Sequence, residues 1–205
     1  MSNVMKKGQL QGTISLDTIA DKKNLYGLGP KEFLKGELLI LDGISYVSSI
    51  NPDQTIKIEK NYDAKAPFFV YANNNSWKEI TLPKNILTLE DLERFIDENS
   101  KQIIRPFVFK LKGNFSKVNF HIQNLPDGSV VKSPKDAHQG QGKFERTHVN
   151  GELIGFFSTQ HQTIFTHHDT FLHIHYIDEK RTEMGHLDNL LLDGTSEIKL
   201  YLPIN

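Results

Sequence analysis

The chain has 205 residues, 38 % of them hydrophobic and 24 % charged, with a formal net charge of −1. That length supports one large domain or two small ones around a sizeable core, and so balanced a charge argues against a polyanion, so no nucleic acid is expected as a partner. There is no cysteine, which removes disulfides and thiolate chemistry and leaves histidine and oxygen to hold any metal.

The opening MSNVMKKGQLQG has two lysines but no apolar core behind them, so it does not read as a signal peptide. No apolar run approaches the ~20 residues that span a bilayer, so no membrane partner is expected. The expected location is cytoplasmic, with export of a longer precursor left open. A short helix is expected over residues 18–21 or 30–34. Residues 37–41 and 44–47 are apolar runs on either side of Asp42-Gly43, a strong hairpin signal. Residues 55–59 and 67–72 read as further strands. Thr88, with Asp91 three residues on, caps a helix whose apolar stripe is Leu89, Leu92, Phe95 and Ile96 and which ends near Asn99.

Two strands follow, over 106–112 and 115–122. Residues 123–142 are polar and broken by Pro126, Asp127-Gly128 and Pro134, a loop long enough to suggest function or mobility. Asn150-Gly151 marks a turn between strands at 144–149 and 152–158. A further strand covers 170–177, and Asp193-Gly194 separates apolar runs at 190–192 and 198–202. The chain divides into an N-terminal part, 1–105, and a C-terminal β-rich metal-binding part, 106–205, unless the two form one continuous domain.

Five of the nine histidines fall between His167 and Asn189. Along residues 171–177 apolar and histidine positions alternate. In a strand alternate residues share a face, so His173 and His175 stand together while Leu172, Ile174 and Tyr176 face a core. Such a pair can converge on one metal ion. His186 follows behind a turn-like stretch from Asp178 to Arg181 and Gly185, and an antiparallel partner strand would set it opposite the pair. Three neutral imidazoles leave coordination positions open, as catalytic sites do. A lone His-x-His is more often surface than ligand; the third histidine at hairpin distance tips the reading towards a metal. His167 and His168 point apart and read as loop residues, and His138, His148 and His161 read as solvated.

With those residues in view, the chain resembles the bacterial alpha-acetolactate decarboxylases. The match runs through the His-x-His strand, the Asp-Glu-x-Arg turn, Gly185-His186 and the closing Asp-Gly. Upstream it includes Gly151-Glu152-Leu153-Ile154-Gly155-Phe156, Tyr26-Gly27-Leu28-Gly29, Gly36-Glu37-Leu38-Leu39-Ile40 and, more loosely, the stretch from Lys110 to Phe115. The resemblance implies a β-rich α/β fold with few helices, a mixed β-sheet and a smaller barrel-like antiparallel sheet, often as a homodimer. It implies decarboxylation of 2-acetolactate to acetoin, a hydroxy-keto acid substrate, and Zn2+ or another divalent transition metal on His173, His175 and His186. Glu37 matches an active-site carboxylate.

The chemistry fits: loss of carbon dioxide leaves an enediolate that a dication stabilises and a positioned carboxylic acid protonates. Two departures stand out. Where the family carries arginines that orient the substrate, this chain reads Val118-Asn119-Phe120-His121-Ile122, which puts His121 in that catalytic position without a guanidinium's bidentate fork. The chain as given also ends at Asn205, without the tail that supplies the family's further glutamate; Glu179 and Glu183 are the nearest substitutes and read as loop residues. A diverged member acting on or sensing another hydroxy-keto acid is the alternative. A cupin is the more distant one, because His173-x-His175-x3-Glu179 echoes its ligands but His167 stands where cupins have glycine.

Overall fold

The structure, a computed structural model, describes residues 2–162, 164, 166 and 170–204. His167 and His168 lie outside the described residues. Helix α1 (Ser2–Lys7) precedes β1 (Ile14–Ser15), a 3-10 turn at Leu16–Thr18 and β2 (Leu25–Pro30). A second 3-10 turn, Glu32–Leu34, leads into β3 (Glu37–Leu41), β4 (Ile44–Ile50), β5 (Ile56–Lys60), β6 (Lys65–Ala66), β7 (Val70–Asn73) and β8 (Trp77–Thr81). After α2 (Leu89–Asn99) come two long strands, β9 (Phe107–Ile122) and β10 (Gly142–Phe157), with the short α3 (Pro134–Ala137) between them. The last three strands are β11 (Leu172–Asp178), β12 (Met184–Leu191) and β13 (Lys199–Pro203). The short helix expected near 18–21 or 30–34 is thus a pair of 3-10 turns.

Five strands form one sheet in the order β5-β4-β3-β2-β7, and six form another in the order β10-β11-β12-β9-β13-β8. β10 also pairs with β9, so β9, β10, β11 and β12 close into a ring. The β-rich class with few helices and a barrel-like sheet is as expected. One detail differs: every pair of named strands is antiparallel, including those of the sheet expected to be mixed. Four of the pairs, β2–β3, β3–β4, β4–β5 and β11–β12, are joined by hairpins or short returns, which suit antiparallel pairing, whereas parallel pairs need long crossovers. No helix among the described residues is long and apolar enough to cross a membrane.

The β3–β4 hairpin forms where Asp42-Gly43 predicts it. Both turn residues have positive φ, 50° and 76°, as a two-residue turn that matches strand twist requires. Asn150-Gly151, by contrast, is no turn: β10 runs straight through it, with Asn150 opposite Asn114 and Gly151 opposite Gly113. Asn114 Nδ2 donates to Asn150 Oδ1 at 3.0 Å, so the long-range ladder overrides the local turn signal. Asp193-Gly194 does not make a hairpin either, since β12 and β13 each pair with β9 rather than with one another.

Three apolar layers result. Phe115, Val118, Phe120, Leu172, Ile174, Tyr176, Leu187 and Leu190 fill the ring. Tyr26, Leu28, Leu39 and Leu41 of the five-stranded sheet pack on Val108, Ile154, Phe156, Ile177 and Met184 of the ring's outer face. Leu38, Ile40 and Val47 cover the far side of the five-stranded sheet. Lys110 helps to join the two sheets, its ammonium lying 4.5 Å from the Trp77 ring, 5.4 Å from Tyr26 and 5.1 Å from Tyr201.

Helix α2 starts as its sequence dictates. The Thr88 side chain accepts from Asp91 N–H, and the Asp91 carboxylate accepts from Thr88 N–H. Thr88→Ala should lower stability by about 1 kcal/mol, the usual cost of losing a cap. A urea titration that showed no shift of midpoint would mean α2 is held by its buried Leu92 and Ile96 alone.

Candidate metal centre

The site forms where the outer face of the ring meets the end of β3. On β11, Leu172, Ile174 and Tyr176 point into the ring, so His173 and His175 point out of it, as the alternation predicts. The β11–β12 hairpin is organised by Asp178, whose carboxylate accepts from the backbone of Lys180, Thr182 and Glu183. That turn sets His175 directly opposite His186. Arg181 ion-pairs with Glu152, and Glu183 is taken up by Arg146 at 2.6–3.0 Å, so it is not a further acid for the site.

Two glycines allow the approach. At Gly36 φ is +143°, and a Cβ would lie 2.1 Å from the Ser48 carbonyl oxygen, so only glycine lets β3 begin where it does and present Glu37. At Gly185 a Cβ would meet the His121 carbonyl oxygen at 2.4 Å, so glycine lets β12 lie close against β9 beside His186. Gly185→Ala should cost about 1–3 kcal/mol as the strands are pushed apart. The same shift should weaken metal binding, read by urea titration and metal analysis; an unchanged midpoint would show that β9 yields freely.

His173, His175 and His186 offer ligand atoms that all lie within 4.8 Å of one another. Their exposures are 4 %, 0 % and 9 %, and Glu37 beside them is 2 % exposed. His175 Nε2 is buried without a hydrogen bond, and Glu37 Oε2, at 3.6 Å, is beyond hydrogen-bonding range. A buried ring nitrogen left so costs free energy, and a cation among three imidazoles would satisfy it. The donor set fits a metal, with imidazole nitrogen suiting zinc and its first-row neighbours.

Burial, with the neighbouring His121 adding to it, pushes His175 down to about 3, against a weaker backbone contribution from Leu38. The ring is therefore neutral, as a ligand must be. Burial likewise raises the Glu37 carboxyl well above the ordinary carboxylate range, opposed by the Gln123 N–H and reinforced by the negative Asp188. Glu37 Oε1 accepts from that N–H at 3.3 Å, which leaves Oε2 as the oxygen to carry a proton.

His121 also comes to the site, at the end of β9 and directly opposite His186, with the two rings 4.8 Å apart. Its Nδ1 lies 2.7 Å from Asp188 Oδ1. A small cavity of about 40 Å³ is lined by Glu37, His121, Gln123, His138, His173 and His186, with Met5, Pro30 and Phe68. That volume takes an ion together with the donor groups of a small ligand reaching in from the opening. A larger cleft of about 510 Å³, against Leu89, Glu90 and Glu93 of α2, shares His186 but holds neither Glu37 nor the other two histidines.

All five residues singled out in the sequence, Glu37, His121, His173, His175 and His186, therefore meet in one place. The sequence reading missed Gln123, Asp188 and His138. Gln123 lies two residues beyond His121 and Asp188 two beyond His186, so strand alternation alone could have placed the first pair. His138 was read as solvated; it is exposed but stands at the cavity rim. His161 was read the same way and instead lies 2.7 Å from Ser158 Oγ, half-buried.

The family model for alpha-acetolactate decarboxylases matches residues 1–201. An alpha-acetolactate decarboxylase of Brevibacillus brevis is 27 % identical over 198 residues, covering 95 % of this chain and 65 % of that protein. One from Lactococcus lactis subsp. cremoris is 24 % identical and covers 93 % of this chain and 78 % of its own. This chain thus spans about two thirds to four fifths of those relatives' lengths. The crystal structure of alpha-acetolactate decarboxylase from Bacillus subtilis strain 168 superposes with a TM-score of 0.78 at 23 % identity, over 100 % of this chain and 83 % of that one. A Staphylococcus aureus protein described as similar to alpha-acetolactate decarboxylase superposes with a TM-score of 0.72 at 20 % identity, over 96 % and 80 %. Matched along nearly its whole length, the chain belongs to the alpha-acetolactate decarboxylase family.

Proposed function

We propose that this protein decarboxylates 2-acetolactate to acetoin and carbon dioxide with a divalent metal, zinc by preference, held by His173, His175 and His186. The observation that carries the reading is a buried acid, Glu37, 3.6 Å from His175 of that triad and lining one small cavity with His173 and His186. Family membership supports the reaction, and the family resemblance also favours a homodimer.

The bound ion would supply Lewis-acid stabilisation for negative charge developing on the substrate's oxygens. The chain's own residues do the rest. Carbon dioxide leaves with its carbon, and the electron pair of the broken bond stays on the substrate as an enediolate. That carbon then needs one proton. Glu37 is kept neutral by burial and can deliver it from Oε2, with Oε1 held by the Gln123 N–H. The resulting carboxylate recovers its proton from solvent. His121, in the position of the family's arginines, takes the substrate-orienting role, held by Asp188. The buried walls limit water and so keep the enediolate from unselective protonation.

The test is an acetoin assay on racemic 2-acetolactate, with zinc-loaded protein beside protein stripped by chelation. Acetoin from the loaded protein alone is expected. No acetoin from protein holding one metal per chain would overturn the reaction and point instead to another hydroxy-keto acid. Acetoin from fully stripped protein would overturn the metal.

A further inference from the structure

Gln123 is 4 % exposed and lines the same cavity as Glu37 and two of the histidines. Its backbone N–H is already committed to Glu37. Its amide Nε2 lies 3.5 Å from His121 Nε2, and its Oε1 has no hydrogen-bond partner among the described residues. A buried amide oxygen left so costs about 1–3 kcal/mol, and proteins seldom keep one without a use.

The amide's orientation follows from its neighbours. β12 carries a bulge between Leu187 and Asn189, where one extra residue, Asp188, faces the β9 ladder. The bulge aims the Asp188 carboxylate at His121, and Oδ1 sits 2.7 Å from Nδ1. A carboxylate only accepts, so Nδ1 carries a proton, and in the neutral ring Nε2 then presents its lone pair. That lone pair matches the NH2 side of the Gln123 amide. The oxygen side is then the one left for a ligand, and a ligand in this cavity must offer it a donor.

We propose that Gln123, oriented by the Asp188–His121 pair, determines specificity at this site: its Oε1 accepts a hydrogen bond from the hydroxyl of a 2-hydroxy-3-keto acid. The inference rests on the decarboxylase reading and says which feature of the substrate the protein selects. A carboxylate or ketone oxygen has no proton to give Oε1; the hydroxyl does. Sites built around a substrate hydroxyl reject analogues that lack it by factors of about 10⁴.

The experiment compares two substrates, racemic 2-acetolactate and 2,2-dimethyl-3-oxobutanoate, in which a methyl replaces the hydroxyl. Carbon dioxide release is followed with the uncatalysed rate subtracted. Gln123→Met should reduce kcat/KM for acetolactate by about 100-fold and leave the dimethyl acid unchanged or faster, narrowing the preference between them. Equal losses on both acids would overturn the proposal and make Gln123 a packing residue. If the wild type turns over neither acid, the decarboxylase reading fails separately. The non-reacting pair 2-hydroxy-2-methylpropanoate and 2,2-dimethylpropanoate, titrated by calorimetry, then decides this inference: a binding ratio that Gln123→Met does not change overturns it.

Asp188→Ala serves as a second variant that leaves Gln123 in place. In the wild type, 15N shifts should show His121 protonated on Nδ1 and bare on Nε2, and the variant should lose that tautomer together with the hydroxyl preference. A wild-type His121 protonated on Nε2, with or without a proton on Nδ1, would overturn the proposed orientation.

Discussion

His175→Ala should strip the protein of its metal. The substitution removes the most deeply buried of the three imidazoles and leaves two ligands, His173 and His186. Outer-sphere losses at metal sites already cost about 10–100-fold in affinity, so losing a ligand itself should cost more than ~100-fold, and carbon dioxide release should fall with it. Metal analysis after dialysis checks this, and full retention of one ion per chain would place the metal elsewhere. The metal-free protein carries a second signature. His175 is held neutral in the fold, down to about 3 from an ordinary 6.5. A depressed value means that its contribution to stability is complete above about pH 6.5 and is lost as pH falls towards 3. The urea midpoint of metal-free protein should therefore drop on acidification through that window. His175→Ala should flatten the drop; an equally steep curve in the variant would assign it to other groups.

Glu37→Gln should leave the metal in place and remove the proton donor. Glutamine keeps the shape and can still accept from the Gln123 N–H, so the cavity should persist. The expected loss is about 10²–10⁴-fold in kcat, the usual worth of a positioned acid, with little change in KM. Loss of metal along with activity would instead make Glu37 a ligand. The sign of the stability effect is opposite to that of His175. The folded Glu37 holds its proton more tightly than the unfolded chain, so its contribution is complete below the ordinary value of 4.5 and is lost as pH rises through its elevated folded value. Metal-free Glu37→Gln should then be more stable than wild type on the alkaline side of that transition. Denaturant midpoints that cross in the other direction would mean the buried acid is ionised.

Much of this site could be read before the fold was seen, for reasons that can be named. The Asp42-Gly43 turn is a two-residue code, and it fixes which residues of β3 face the ring. His173 and His175 are a period-two pattern whose apolar partners declare the other face. The Thr88–Asp91 box is local along the chain. What stayed hidden depends on contacts between distant strands. Asn150-Gly151 has the chemistry of a turn, yet the chain runs straight there because Asn114 and Gly113 lie opposite it. β8 is short and half-exposed, held by β13 rather than by a pattern of its own. Asp188 meets His121 through a bulge, and no residue type announces a bulge. His138 reaches the rim because the polar loop folds back onto Val4 and Leu34 through Leu125, Val131 and Ala137, a packing that a polar composition does not advertise.

The ring of β9 to β12 has a consequence for the metal. Both strands that carry the histidines are laddered on two sides, β11 by β10 and β12, and β12 by β11 and β9. A closed sheet has no edge from which to fray. The backbone under His175 and His186 can shift only by breaking ladders on both flanks, and that under His173 only by breaking its pairing with Phe156. The triad is thus a rigid gauge fixed by the backbone, and an ion must match its spacing rather than draw the ligands in. Little of the binding free energy then goes into ordering the site, and ions of the wrong radius are refused by the frame rather than by the ligands' chemistry.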